Sequence, residues 1–282
     1  GVYQLNERYS QPIYFPMGDI NGFEAARTVV DPNISKEKQN TTEFGLNLGF
    51  LNDRFSLDAS YFDTKITDLI VQTTPSYASG AIAYLTNIGE LSNTGFELSL
   101  GGTLVRAGGF SWDFNVNYTS YETIVDEIKD DLLEVSIDND YGTYGTYAIV
   151  GKAFPQVKAQ SYVRDPQGRV VIDQANGNPL IGDVLPHGKA TPDYIIGGSS
   201  VMSFKGISLS ATIDYRTGHV YYSEGSDNME FTGRSLESVS SARQDFVWPN
   251  SVYETAEGFV ANTNIPVSGG RMGFWQNTFN EI

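Results

Sequence analysis

Residues 44–61 read FGLNLGFLNDRFSLDASY. Phe44, Leu46, Leu48 and Phe50 alternate with Gly45, Asn47 and Gly49. After Asn52 and Asp53 the alternation resumes, with Phe55, Leu57, Ala59 and Tyr61 set against Ser56, Asp58 and Ser60. A period of two is that of a strand with unlike faces, and Asn-Asp is a turn signal, so the stretch predicts an antiparallel hairpin. The pattern recurs twice. Phe96, Leu98 and Leu100 are followed by a turn at Ala107-Gly108-Gly109 and then by Phe110, Trp112, Phe114, Val116 and Tyr118, which alternate with Ser111, Asp113, Asn115 and Asn117. A third pair runs from about Tyr194 to Phe204, turns at Lys205-Gly206, and returns through Ile207, Leu209, Ala211, Ile213 and Tyr215.

The composition agrees with an all-β chain. Among 282 residues there are 17 Tyr, 16 Phe, 3 Trp, 29 Gly and 11 Pro, a mixture of strand and turn formers. With 18 Lys and Arg against 34 Asp and Glu the formal charge is −16, which repels phosphate backbones and argues against nucleic acid as a partner. The absence of Cys removes disulfides, thiol nucleophiles and Cys-ligated metals. The longest uninterrupted apolar run is the five residues Ala81 to Leu85, far short of the roughly 18–20 a membrane helix needs. Any membrane would have to be crossed by strands. The chain opens on GVYQLNERY, without a Met or a signal-peptide pattern, and reads as a piece of something longer.

Two features separate the possible all-β folds. Roughly 30 residues lie between Phe62 and Thr94, roughly 70 between Thr119 and Pro192, and roughly 60 follow Gly218, whereas ordinary loops have a median near 4–6. Short turns therefore alternate with long connections, which places all the turns at one end of an up-and-down sheet. Aromatics on the apolar faces gather near the turns (Phe50, Phe55, Phe110, Trp112, Phe204) and again at the far ends (Phe44, Tyr61, Phe96, Tyr118, Tyr215). Mainly aliphatic residues lie between. Two aromatic belts around an aliphatic band, with Asp58, Glu97, Asp113 and Asp214 on the opposite faces, suit a membrane barrel with a wet lumen. Alternation alone fits a soluble β-sandwich equally well, and a secreted glycan-binding module of that kind is the alternative. The loops and belts favour an antiparallel transmembrane β-barrel with short periplasmic turns and long extracellular loops.

From Asp31 to about Thr103 the sequence runs DPNISKEKQNTTEFGLNLGFLNDRFSLDASYFDTKITDLI and later TNIGELSNTGFELSLGGT. This resembles the barrel of the SusC/RagA family of TonB-dependent outer-membrane transporters. The matching residues are Glu43, Gly45, Phe50, Leu51, Asn52, Arg54, Tyr61, Asn87, Gly89, Asn93, Gly95 and Glu97. Similar stretches run over Val150–Pro179, Gly188–Gly218 and Phe231–Glu254. The resemblance implies that residues 1–282 are part of a barrel of about 22 strands, within the range of such barrels. It implies a plug domain and early strands before Gly1, and closing strands after Ile282; the tail GRMGFWQNTFNEI is a weak match to a barrel end. It further implies a bacterial outer-membrane location and uptake of oligosaccharides or peptides. The implied partners are a surface lipoprotein of the SusD/RagB type, outer-membrane lipids, and the inner-membrane TonB complex acting through the plug.

Catalytic readings fare poorly, and no cofactor is expected. His187 and His219 both fall in predicted loops, and no G-x-S-x-G elbow exists. GDVLPHGKA (182–190) spaces its glycines wrongly for a phosphate loop. DPQGRVVIDQANGNP (165–179) has oxygen donors but not calcium-loop spacing, so plain turns are expected. The acidic run 126–140 reads as a solvated outer loop. An outer-membrane enzyme using Asp58 or Asp113 would need a second acid or base nearby. The candidates for substrate contact are aromatics of the long connections, Tyr77, Tyr141, Tyr144, Tyr147, Tyr221, Tyr222 and Trp248, because exposed rings stack on sugars and pack on peptides.

Overall fold

The computed structural model describes residues 9–12, 16–25, 27–73, 75–140, 144–232, 234, 236 and 244–267. Alternating residues build one antiparallel six-stranded sheet, whose strands we number β1 (Lys38–Phe50), β2 (Phe55–Thr67), β3 (Gly89–Ala107), β4 (Phe110–Ile128), β5 (Tyr194–Phe204) and β6 (Ile207–Thr217). Each strand pairs with the next in sequence, so the sheet is an up-and-down meander. The three short turns close at one end through Phe50↔Phe55, Ala107↔Phe110 and Phe204↔Ile207. Gly108-Gly109 and Lys205-Gly206 both have positive φ, the pairing a two-residue hairpin needs to match strand twist. Ala107 therefore belongs to β3, and the turn there is two residues long rather than three.

The strands outrun the apolar alternation. β3 and β4 have 19 residues each and continue beyond the outer aromatics Phe96 and Tyr118, to Gly89 and to Ile128, into segments read from sequence as loop. Hydrogen-bonded pairing does not require an apolar face, so polar strand ends escape a reading based on hydrophobic period. The acidic run 126–140 is a second correction. It closes β4, makes a 3₁₀ turn at Lys129–Asp131 and re-enters a strand at Glu134–Asp140, with Ile128, Val135 and Ile137 packed into a core.

That core explains how the first compact unit (1–138, 146–156, 189–219) is stabilised. Ile88, Leu91, Val125, Ile128 and Ala148 are buried, with Ile66, Leu69 and Val71 packed against them, all at the long-connection end of the sheet. A small sheet of Thr28–Val30, Ala83–Asn87 and Ile70–Thr73 flanks this end. Farther down, the apolar face of the six-stranded sheet is open: Phe44 is 70% exposed and Leu209 is 68% exposed. A β-sandwich would cover that face with a second sheet, and no second sheet covers it among the described residues. The buried apolar cluster of this unit lies in the part that would stand in water.

The second unit (139–145, 157–188, 220–282) has its own core of Tyr162, Val170 and Ile172 with Trp248, Tyr253 and Ile265. Val170–Val171 runs parallel to Ser251–Thr255, which forms a hairpin with Gly258–Ala261. Ser223 accepts the Ser226 N–H at 3.3 Å and so caps the helix α1 (Glu224–Phe231). His187 lies in a strand, Ile181–Lys189, rather than in a loop. The tail 270–282 and much of the 231–254 match lie outside the described residues.

Candidate functional site

The register assigns every wall residue to a face. One row of directly opposed residues runs Phe44–Tyr61–Phe96, and the rings of Phe96, Tyr118, Tyr194 and Tyr215 continue it with centroids 5.9–6.5 Å apart. At the turn end, Phe50 stacks on Phe55 at 5.8 Å, and Phe55 lies 6.2 Å from Phe114. Between the belts, Leu46–Ala59–Leu98 and Leu48–Leu57–Leu100–Val116 are apolar rows. Phe44 and Phe50 are six residues apart, or ~20 Å of strand, a length that suits the apolar band of a tilted membrane strand. On this face the Trp112 indole N–H donates to Ser200 Oγ at 2.9 Å, so these two polar groups satisfy each other.

The opposite face is hydrophilic. Asn47–Asp58–Ser99–Asn117 forms one row, and Gly45–Ser60–Glu97–Thr119 forms the next. These residues line a concavity of about 420 Å³ on the sheet. Asn47 donates to Asp58, and Thr103 donates to Asp113 at 2.5 Å. Asp58 and Asp113 do not form an acid–base pair: Asp113 lies four residues along β4 from the row of Asp58, roughly 13 Å away along the strand alone. This face offers hydrogen bonds to a passing solute.

At the outer end a clasp ties the chain together. Asn87, 7% exposed, accepts the Ser35 N–H at 2.6 Å and donates to the carbonyls of Ser35 at 3.1 Å and Asp68 at 2.6 Å. Asp31 accepts the N–H of Asn33 and the hydroxyl of Thr86, both at 2.8 Å, and faces the Lys129 ammonium at 3.5 Å. The Asn33 amide, the Thr86 hydroxyl and the Lys129 charge hold its carboxyl below the usual value against the cost of burial. The partner Asn87, 52 residues beyond Ser35, was not readable from local sequence.

At the turn end, the side chain of Arg54 donates to the carbonyls of Thr103, at 2.7 Å, and Leu104, where β3 bulges. Gly95 sits beneath Phe62 and Tyr121; a Cβ there would lie 2.8 Å from Tyr121 Cβ and would strike the Phe62 ring. Both residues of the resembling motif thus have local structural reasons.

The candidate aromatics separate into different environments. Tyr144 and Tyr222 stack face to face, with centroids 3.8 Å apart and planes 15° apart, and the neighbouring Tyr221 is 69% exposed. Tyr147 is buried. Trp248 packs edge-on against Tyr162 and beside Phe246, in the core of the second unit. Tyr77 opens a 3₁₀ turn, Tyr77–Ser79, and Tyr141 lies outside the described residues. Asp165, whose side chain is fully buried, takes two hydrogen bonds from the Arg169 guanidinium and the N–H groups of Gln167 and Arg169. Burial pushes this carboxyl up, but the Arg169 bonds and charge and the Gln167 amide outweigh burial and hold it below the usual value.

Comparison with known proteins agrees with this geometry. Residues 3–164 match the family described as TonB dependent receptor-like, beta-barrel. The chain is 28% identical to TonB-dependent receptor P26 of Formosa agariphila, over 85% of this chain and 25% of that protein. It is 27% identical to TonB-dependent receptor SusC of Bacteroides thetaiotaomicron, over 78% of this chain and 23% of that protein. The chain therefore spans about a quarter of the length of these relatives. The fold is also that of a part of the RagAB peptide transporter structure, with a TM-score of 0.57 and 22% identity over 78% of this chain and 24% of that one. An exposed apolar band between two aromatic belts, a polar opposite face and the family match converge: the chain belongs to the TonB-dependent receptor-like β-barrel family and is a stretch of outer-membrane barrel wall.

Proposed function

We propose that the protein containing this chain imports oligosaccharides or peptides across the bacterial outer membrane, driven through TonB, with a SusD/RagB-like lipoprotein closing its outer opening. In this reading, residues 1–282 contribute barrel wall and outer loops, while a plug domain and further strands come from the rest of the protein. The observation that carries it is the two-faced wall: rows such as Leu48–Leu57–Leu100–Val116 face lipid, and Asn47–Asp58–Ser99–Asn117 face water at the same depth. Transport breaks no covalent bond, and the relatives are receptors by name, so the protein is read as a non-enzyme. The test is uptake of labelled oligosaccharide and peptide mixtures by cells with and without the gene, and by cells depleted of TonB. Loss of uptake of one cargo class in both backgrounds, with recovery of the lipoprotein on affinity purification of the full-length protein, is expected. Recovery of the full-length protein without detergent, or unaltered uptake of every cargo, would overturn the reading.

A further inference from the structure

We infer that the ammonium of Lys205, at the turn end of the wall, holds the phosphate of a glycerophospholipid whose acyl chains lie on Phe110, Phe204 and Ile207. The inference rests on the wall assignment and not on what the barrel imports. The side chain is laid on the lipid side. Lys205 Nζ stands 5.1 Å from the centroid of the Phe204 ring, and Phe204 belongs to the lipid-facing row Phe110–Phe204–Ile207. The stem of Lys205 passes Gly109 of the neighbouring hairpin, where a Cβ would lie 3.9 Å from Lys205 Cγ. The backbone is held too: Lys205 has a φ of +46°, and its N–H donates to the Gly109 carbonyl at 3.4 Å, which joins the two turns. A Cβ at Gly108 or Gly206 would meet nothing within 4 Å, so the surface beside the ammonium is open. The ring takes one side of the ammonium, and N–H donors remain for an anion.

The charges around Lys205 point to an anion. The chain carries −16 as a whole, yet residues 104–112 and 201–213, the ends of two hairpins, contain Arg106 and Lys205 and no Asp or Glu. The carboxylates of the neighbouring rows and turn are engaged elsewhere. Asp113 accepts from Thr103 Oγ at 2.5 Å and faces Arg106 at 4.0 Å, Asp214 pairs with Arg216 at 2.8 Å, and Asp53 lies over Gly49 of its own hairpin. Arg54 is spent on the carbonyls of Thr103 and Leu104. Among the described residues Lys205 has no carboxylate partner. A lysine at the rim of an apolar band lays its methylenes on the apolar surface and keeps its ammonium at the level of the headgroup phosphates. Free phosphate would offer the same charge but leave the apolar row bare, with Ile207 77% exposed. A phospholipid meets both demands, through a charge-assisted hydrogen bond and acyl contact.

The experiment is photocrosslinking of the full-length protein, delipidated in a non-ionic detergent, with phosphatidylglycerol that carries a diazirine beside its headgroup. A diacylglycerol with the same diazirine and chains is the uncharged control. Crosslinks are mapped by peptide mass spectrometry, and the yield at residues 104–112 and 203–209 is taken relative to that at the other turn, residues 51–55. Phosphatidylglycerol should label the two joined hairpins about fivefold more than diacylglycerol does; Lys205→Gln should abolish that excess and Lys205→Arg should keep it. The heat-dependent gel mobility of each variant checks that its barrel is folded. Equal labelling of wild type and Lys205→Gln would overturn the site. Equal labelling by the two probes would show that the apolar row alone is recognised, and would overturn the role of the phosphate. Millimolar inorganic phosphate should leave the labelling intact, and displacement by it would assign the ammonium to free phosphate and overturn the lipid. Cargo uptake by cells is read separately, so none of these failures removes the import reading.

Discussion

At the scale of single residues, the sequence of the wall resolves into local accounting of hydrogen bonds and space. Asn87 saturates its amide on three backbone groups that would otherwise be unpaired at the outer end of the wall. Asn87→Ala should cost on the order of 2–3 kcal/mol, because it leaves buried backbone donors and acceptors unmet. Hydrogen exchange on the full-length protein should show faster exchange at Ser35 while amides of β2 at the level of Ala59 are unaffected. Asp165 gives a pH prediction whose sign follows from its lowered carboxyl. Its contribution is complete above the ordinary value of 3.8 and is lost as pH falls through the lower folded-state value. Asp165→Asn should therefore make protease cleavage in the 163–172 hairpin faster at pH 7, with the difference from wild type closing in strong acid. Gly95→Leu should fail to accumulate in the outer membrane, whereas Gly108→Asn, in an open turn that Asn tolerates, should accumulate.

At the scale of the element, a strand in this wall serves two solvents, and neighbours along it obey opposite rules. Val116 lies in the row Leu48–Leu57–Leu100, while Asn117 lies in the row Asn47–Asp58–Ser99. Val116→Lys should destabilise the barrel by about 2–4 kcal/mol, the cost of a cation near the middle of the lipid band, and Asn117→Lys should cost little. Denaturant titration of the full-length protein refolded into vesicles measures both. Equal effects would contradict the assignment of faces. The same logic explains which element boundaries the sequence revealed. Alternation marked β1, β2, β5 and β6 between the belts, where lipid demands it, and missed the outer halves of β3 and β4, where water does not.

At the scale of the molecule, burial follows the membrane level. The first unit keeps its buried cluster at the outer end and leaves its midsection apolar and open, because lipid supplies the apolar surroundings there. Zero native Cys in this chain makes topology directly measurable. Single substitutions Gly109→Cys and Lys205→Cys should be labelled by a membrane-impermeant maleimide only after the outer membrane is opened. Leu133→Cys and Tyr221→Cys should label on intact cells, since both residues are exposed and lie in the long connections. Labelling of all four on intact cells would refute a wall with turns on the periplasmic side.

What the sequence by itself determined was the wall: hairpin positions, facing and belts follow from a period of two read against two solvents, a local signal that each strand carries independently. The family likeness, too, rested on local strings such as NIGELSNTGFE. What only the tertiary structure decided was everything formed by residues distant in the chain. The clasp of Asn87 on Ser35, the packing of Ile128, Val135 and Ile137 out of an acidic run, and the stacking of Tyr144 on Tyr222 belong to this class. Seven candidate aromatics looked alike in sequence, yet Tyr147 and Trp248 are packed inside while Tyr221 is exposed. Side-chain identity sets what a ring can do, and the contacts that bury or present it come from segments tens of residues away, which no local period records.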